Sequence, residues 1–216
     1  MTTHKIQKRS EDRRIQRTRQ GIQQAFKEIA HERGVAARGI GSLEKSFLSM
    51  SIQDITERAN VNRGTFYLHF TDKYMLVETI VREQFRQTLL EALPPAPRWN
   101  RETLEALIQT VLDSCEQKYR HHPHASSILV PMIERAMHEE LTDLLLTWLK
   151  QRGDTRLRGA VPPQATARIV GWSIFGAALQ WSQEEEITIS KVQMAQAILR
   201  LIMDGTTNHA SIKEKA

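Results

Sequence analysis

The chain has 216 residues, 40% hydrophobic and 25% charged, ordinary values for a globular protein with a real core built as one large domain or two modest ones. Its single cysteine, Cys115, excludes an intramolecular disulfide, and the lack of any run of about 18 apolar residues excludes a membrane-spanning helix. The formal net charge of +5 is unevenly spread: residues 1–73 hold 14 Lys and Arg against 8 Asp and Glu, while the remaining residues hold 16 against 17.

A basic surplus confined to one end is expected of a surface that faces phosphates. The opening MTTHKIQKRSEDRR has no apolar core of a secretory signal, and with the lone cysteine this points to a reducing cytoplasm. Strand-like alternation is scarce and only 10 glycines occur, so an all-α chain is expected.

Residues 1–14 read as a loose polar terminus in which Lys5, Lys8, Arg9, Arg13 and Arg14, followed by Arg17 and Arg19, outnumber Glu11 and Asp12. It is either a solvated end or a basic arm on a nucleic-acid backbone. A helix is expected from Arg14 to Arg33, burying Ile15, Ile22, Ala25, Phe26 and Ile29, with Gly34 as its stop. The stretch VAARGIGSLEKSFLSM follows as a long connection, and its Leu43–Phe47 half also suits the end of an interrupted first helix. It is either a tolerated surface loop or one whose Arg38 adds a backbone contact.

The stretch SIQDITERANVNRGTFYLHFTDK, residues 51–73, predicts two short helices about a tight turn. Ser51 caps the first, with Asp54 in a capping-box position, and Ile52, Ile55 and Ala59 form one apolar stripe. Asn60-Val61-Asn62 interrupts, because Asn tolerates left-handed backbone angles and competes for local hydrogen bonds. Asn62 then caps the second helix, and Phe66 and Phe70, four apart, anchor it. Arg63, Thr65, Tyr67, His69 and Lys73 are left to point outward, each able to donate a hydrogen bond. That is the profile of a helix-turn-helix, in which one helix braces another that enters the DNA major groove.

A longer helix capped by Thr71 follows, with Val77, Val81, Phe85 and Leu89 as its stripe, ending before Pro94-Pro95-Ala96-Pro97. The body beyond residue 100 predicts a bundle. Its helices run from Arg101 to Tyr119 (Leu104, Leu107, Ile108, Val111, Leu112 and Cys115 inward), Ala125 to Met137, Glu139 to Lys150 (Leu141, Leu144, Leu145, Trp148), and Pro162-Pro163 to Gln183. The last opens on the Ser190–Gln193 capping box, carries Val192, Ile198, Leu199 and Ile202 inward, and frays beyond Gly205. In the penultimate helix Ile169, Trp172, Ile174, Phe175, Ala178, Leu179 and Trp181 spread apolar surface around most of the circumference. A helix of that kind must be covered on nearly all sides, as the centre of one bundle or by a second subunit.

His121, His122 and His124, with Cys115 and His138, lack tight metal-ligand spacing, and no metal or cofactor is expected. Trp148, Trp172, Phe175, Trp181, Met132 and Met137 serve as core or as the lining of a ligand cavity. No nucleophile elbow, phosphate-binding glycine loop or HExxH motif occurs, so no catalysis is expected.

Residues 51–73 resemble the DNA-binding signature of the TetR family of bacterial transcriptional regulators. The match runs through Ile52, Asp54, Ile55, Ala59, Val61, Gly64-Thr65-Phe66-Tyr67, His69-Phe70 and Lys73. The resemblance implies a three-helix DNA-binding head over residues 1–73 and a helical bundle over residues 74–216 for dimerisation and ligand binding. It implies that Thr65, Tyr67 and Lys73 touch phosphates, that Arg63 and Gly64 lie near base edges, that His69 makes a backbone or base contact, and that Gln53 reaches DNA. With Ser51 and Asn62 at the helix starts, these are the candidate DNA-binding residues. Arg63, whose fork matches two acceptors, is the candidate guanine reader. The connection after Gly34 is longer than the family pattern. The resemblance further implies a homodimer through the last two helices, an operator in double-stranded DNA, and release by a small-molecule effector, hence a ligand-responsive repressor. An effector-independent regulator or activator, or a helical small-molecule-binding protein, are the alternatives.

Overall fold

The computed structural model describes residues 2–33, 40–119, 128–151, 161–184, 186 and 188–207, with the backbone alone described for 2–12, 40–43, 46 and 204–207. The described residues hold helices and no strand. In chain order these are α1 (Thr2–Glu32), α2 (Ile40–Ser49), α3 (Ile52–Arg58), α4 (Arg63–His69), α5 (Lys73–Ala92), α6 (Arg101–Tyr119), α7 (Val130–Gln151), α8 (Pro163–Gln183) and α9 (Lys191–Thr207). They divide into two compact units. One is Met1–Ile80 with Ser127–Leu129, the other Val81–Ser126 with Val130–Ala216, so α5 contributes to both.

In the first unit α1 packs on α2 and α3, and α3 on α4. Its core is Ile22, Ala25, Phe26 and Ile29 of α1 with Phe47, Met50, Ile55, Phe66, Phe70, Leu76 and Val77. The expected loose terminus is helical from Thr2. Residues 2–20 contain neither glycine nor proline, so nothing in that run breaks the α1 ladder. Ile15, expected in the core, is 50% exposed. The second half of the expected connection is α2, which buries Phe47, so α1 and α2 take the place of one interrupted helix. Gly34 and Arg38 lie outside the described residues.

In the second unit α8 packs against α6, α7 and α9, and α6 against α9. Helix α6 has the predicted bounds, and its six predicted inward residues are fully buried. The two segments expected on either side of His138 are one helix, α7, since no glycine or proline lies between Pro131 and Gln151 to divide them. Of the residues expected around α8, Ile174, Phe175, Ala178 and Trp181 are buried, whereas Ile169 and Trp172 are exposed. The Ser190–Gln193 pair is a reciprocal capping box, with the Ser190 amide donating to the Gln193 side chain and the Gln193 amide donating to Ser190 Oγ. Val192, expected inward, is exposed, because the buried stripe of α9 runs through Ala195, Ile198, Leu199 and Ile202. Helix α5 starts one residue later than Thr71 predicts: Asp72 caps it, its Oδ1 accepting from the Met75 amide at 2.8 Å. The His121, His122 and His124 cluster lies outside the described residues, and among those described no group of three metal-ligating side chains is assembled. No described helix is long and apolar enough to cross a membrane.

Candidate nucleic-acid interface

The site is built on two capped helices of seven residues each, too short to hold without tertiary support. Ser51 supplies the first cap. Its Oγ accepts from the Asp54 amide at 3.0 Å, while Asp54 Oδ2 accepts from the Ser51 amide at 2.9 Å, closing the box. The Ser51 amide, followed by the Arg33 guanidinium, holds the Asp54 carboxyl below its usual range. Arg33 also donates to the Ser49 carbonyl, and Arg58 pairs with Glu28 and Glu32, so α3 is pinned to its neighbours by charge as well as by Ile55.

The turn follows the predicted chemistry. Asn60 has φ 52°, the left-handed conformation that asparagine tolerates better than any β-branched residue. Two residues on, Asn62 caps α4: its Oδ1 accepts from both the Thr65 amide at 2.7 Å and Thr65 Oγ1 at 2.9 Å. Phe66 and Phe70 are buried and lie ring to ring with centroids 5.7 Å apart, fixing the inward side of α4.

The outward side carries the rest. Arg63 and Tyr67 are both exposed. The Arg63 guanidinium lies 5.9 Å from the Tyr67 ring centroid, and its Nη2 donates to Tyr67 Oη at 3.4 Å. One turn apart on α4, they present a cation and a phenol together. Gly64 is exposed, and Thr65 and His69 are half-buried beside them. Gln53 is exposed at the start of α3, where its amide donates to Glu57 at 2.8 Å.

Three candidates have work inside the fold. Ser51 and Asn62 are caps. Lys73 turns inward: its ammonium donates to the Phe47 carbonyl at 3.0 Å and to the Met50 carbonyl, and lies 4.5 Å from the Phe47 ring centroid. It thereby adds a charged donor to carbonyls at and just beyond the end of α2, where the helix dipole favours a cation. Burial pulls its pKa below the ordinary lysine value, against the attraction of Asp54. Arg19 is likewise held, 5.2 Å from the Phe70 ring centroid and donating to Thr79. The basic surplus of this segment therefore serves partly to tie its own helices together.

Leu68, which sequence reasoning passed over, is 84% exposed on α4. The signal was present: with Phe66 and Phe70 as anchors, helical spacing puts residue 68 on the far side.

A family model described as bacterial regulatory proteins, tetR family, matches residues 43–80, which span the end of α2, both helices of the turn and the start of α5. An uncharacterized HTH-type transcriptional regulator of Bacillus subtilis (strain 168), YxbF, is 32% identical over 71 residues. That stretch is 33% of this chain and 16% of that protein, so the chain spans far less than the length of this curated relative. Among solved structures, a TetR-family transcriptional regulator from Pectobacterium atrosepticum is similar at 20% identity, covering 89% of this chain and 95% of its own, with TM-score 0.46. The R. erythropolis transcriptional repressor QsdR is similar at 16% identity, covering 85% and 94%, with TM-score 0.47.

Proposed function

We propose that this chain, whose residues 43–80 match the model of the bacterial regulatory proteins of the tetR family, is a TetR-type regulator: a cytoplasmic, homodimeric, ligand-responsive repressor that binds a specific operator through α3 and α4. The observation that carries the reading is the exposure of Arg63 and Tyr67 on a helix that buried Phe66 and Phe70 anchor to its own unit. A helix so presented fits the major groove, where a positively charged fork can meet guanine and a phenol can meet phosphate.

In this proposal residues 1–73 form the DNA-binding domain and residues 74–216 the dimerisation and ligand-binding domain. Thr65 and Tyr67 touch phosphates, Gly64 lets the helix approach base edges, and Gln53 and His69 add contacts at the margins. Ser51 and Asn62 position the two helices. Lys73 acts on DNA through the end of α2 that it holds, rather than as an extended phosphate contact.

Apolar surface on the last two helices supports the dimer. Ile169, Trp172, Gly176 and Leu179 lie at i, i+3, i+7 and i+10 on α8, and Ile169 and Trp172 are exposed. A Cβ added at Gly176 would meet nothing within 4 Å, leaving room for a close partner helix. On α9, Met194, Ala197 and Leu201 form a second stripe, with Leu201 68% exposed. Two such helices from each subunit make a four-helix contact about a twofold axis. An effector that binds one head spacing better than another weakens DNA binding by that difference in affinity alone, with α5 carrying the change.

Selection of bound sequences from random duplex DNA tests the operator. Thermal-shift screening of small molecules, followed by operator release, tests the effector. An enriched near-palindrome supports the reading; equal binding to all sequences opposes it.

A further inference from the structure

Helix α4 advances about 100° per residue, and Phe66 and Phe70 fix the direction of the core. Leu68 then lies roughly 180° from the mean direction of those two rings, and Gly64 lies one turn back along the same line. Thr65 lies about 60° from Leu68, Tyr67 and His69 about 100° from it on either side, and Arg63 nearest the protein. The strip of α4 that stands furthest out is thus a leucine beside a glycine, flanked by polar groups.

Leu68 is the most exposed large apolar side chain among the described residues. Among the described residues little covers its isobutyl group, and burial of that group requires an apolar partner from outside. On the floor of the major groove every base-pair edge is polar except at thymine, whose C5 methyl projects into the groove. Gly64 brings no side chain to hold the helix away from that floor. A Cβ there would lie 3.3 Å from Asn62 Oδ1, crowding the cap that sets the helix direction.

We propose that Leu68 is a specificity-determining residue that packs against the 5-methyl group of a thymine in each operator half-site. The inference rests on α4 being the groove-entering helix. It adds an apolar reader at the centre of a contact surface whose Arg63 and Tyr67 are paired at its side.

The test uses the full chain and an operator selected from random DNA by the wild-type protein. Each thymine of a half-site is replaced singly by deoxyuridine, which removes only the methyl group, and affinity is measured at constant salt. One position is expected at which replacement weakens wild-type binding about fourfold per half-site, the worth of one buried methylene-sized group. Leu68→Ala abolishes that difference and leaves the response at other thymines unchanged, while Leu68→Met retains it. Since Leu68 is exposed, both variants are expected to melt with the wild type, and a melt confirms that they are folded. A wild type indifferent to every replacement, or a Leu68→Ala protein with an unaltered thymine-to-uracil ratio, overturns the assignment. A wild type that enriches no sequence at all overturns the reading of α4 as a DNA-binding helix, and the assignment with it.

Discussion

Arg63 and Lys73 carry the same charge and sit ten positions apart in one short motif, yet their surroundings assign them different work. Arg63 stands exposed against Tyr67, whereas Lys73 closes the end of α2 through the Phe47 and Met50 carbonyls. Arg63→Ala is expected to relax sequence preference at one operator position, costing about 1–3 kcal/mol on the best sequence and far less on random DNA. Comparison of the two affinities checks this; equal losses on both oppose it. Lys73→Ala is expected to lower affinity evenly across sequences and also to lower stability by about 1–2 kcal/mol, since charge-assisted bonds to two carbonyls and a cation–π contact are lost together. A denaturant titration of the isolated protein reads the second effect, which a lysine reaching only for phosphate would not produce. At the turn, Asn60→Val forces a β-branched residue to adopt a φ near 52° and costs about 1–2 kcal/mol, while Asn60→Gly is near neutral. Urea midpoints of the two variants separate backbone strain from side-chain loss.

Elements bounded by strong local chemistry were legible in the sequence. The Ser51–Asp54 box, the Asn62 cap and the Ser190–Gln193 box each name their hydrogen-bond partners within three residues, and Phe66 with Phe70 defines a face by spacing alone. What the sequence hid depends on distant packing. Ile15 and Val192 are apolar in amphipathic patterns, yet both are exposed, the buried stripe of α9 running instead through Ala195, Ile198, Leu199 and Ile202. The inward turn of Lys73 depends on where α2 ends, 24 residues earlier at Ser49, and no local pattern reports it. His138, which the sequence pattern places at a break between helices, is in the middle of α7, its ring centroid stacked 4.0 Å from that of Trp172 and its Nε2 3.4 Å from Thr142 Oγ1. Burial pulls His138 below the ordinary imidazole value of 6.5, with Arg168 pulling the same way and Glu139 opposing. The unfolded chain therefore takes up this proton before the folded chain does. Its contribution to stability is complete above pH 6.5 and is lost as pH falls through the depressed folded value. His138→Gln is expected to flatten that part of the profile, measured as urea midpoints at a series of pH values between about 7.5 and about 5. A profile identical to the wild type would contradict the assignment.

For the whole molecule, the proposed function needs two reading heads held at a spacing that matches duplex DNA. A seven-residue helix in a major groove spans only a few base pairs, so the proposed specificity calls for a second copy about one helical turn away. In the proposed dimer the apolar stripes of α8 and α9 provide the means. Ile169→Glu with Leu201→Glu is expected to convert a dimer to a monomer that keeps its helical content, because both side chains are exposed in the single chain. Light scattering after size exclusion, with circular dichroism alongside, reads both quantities. A doubly substituted protein that remains dimeric places the twofold contact elsewhere. The most direct measurement remains selection of duplex DNA from a random pool by the full-length wild-type protein. The account predicts a near-palindrome whose half-sites lie about 34 Å apart, or slightly more, and in which Arg63→Ala loses the preference at one position of each half-site. A pool that emerges without any enriched sequence, or a motif that Arg63→Ala selects unchanged, would contradict it.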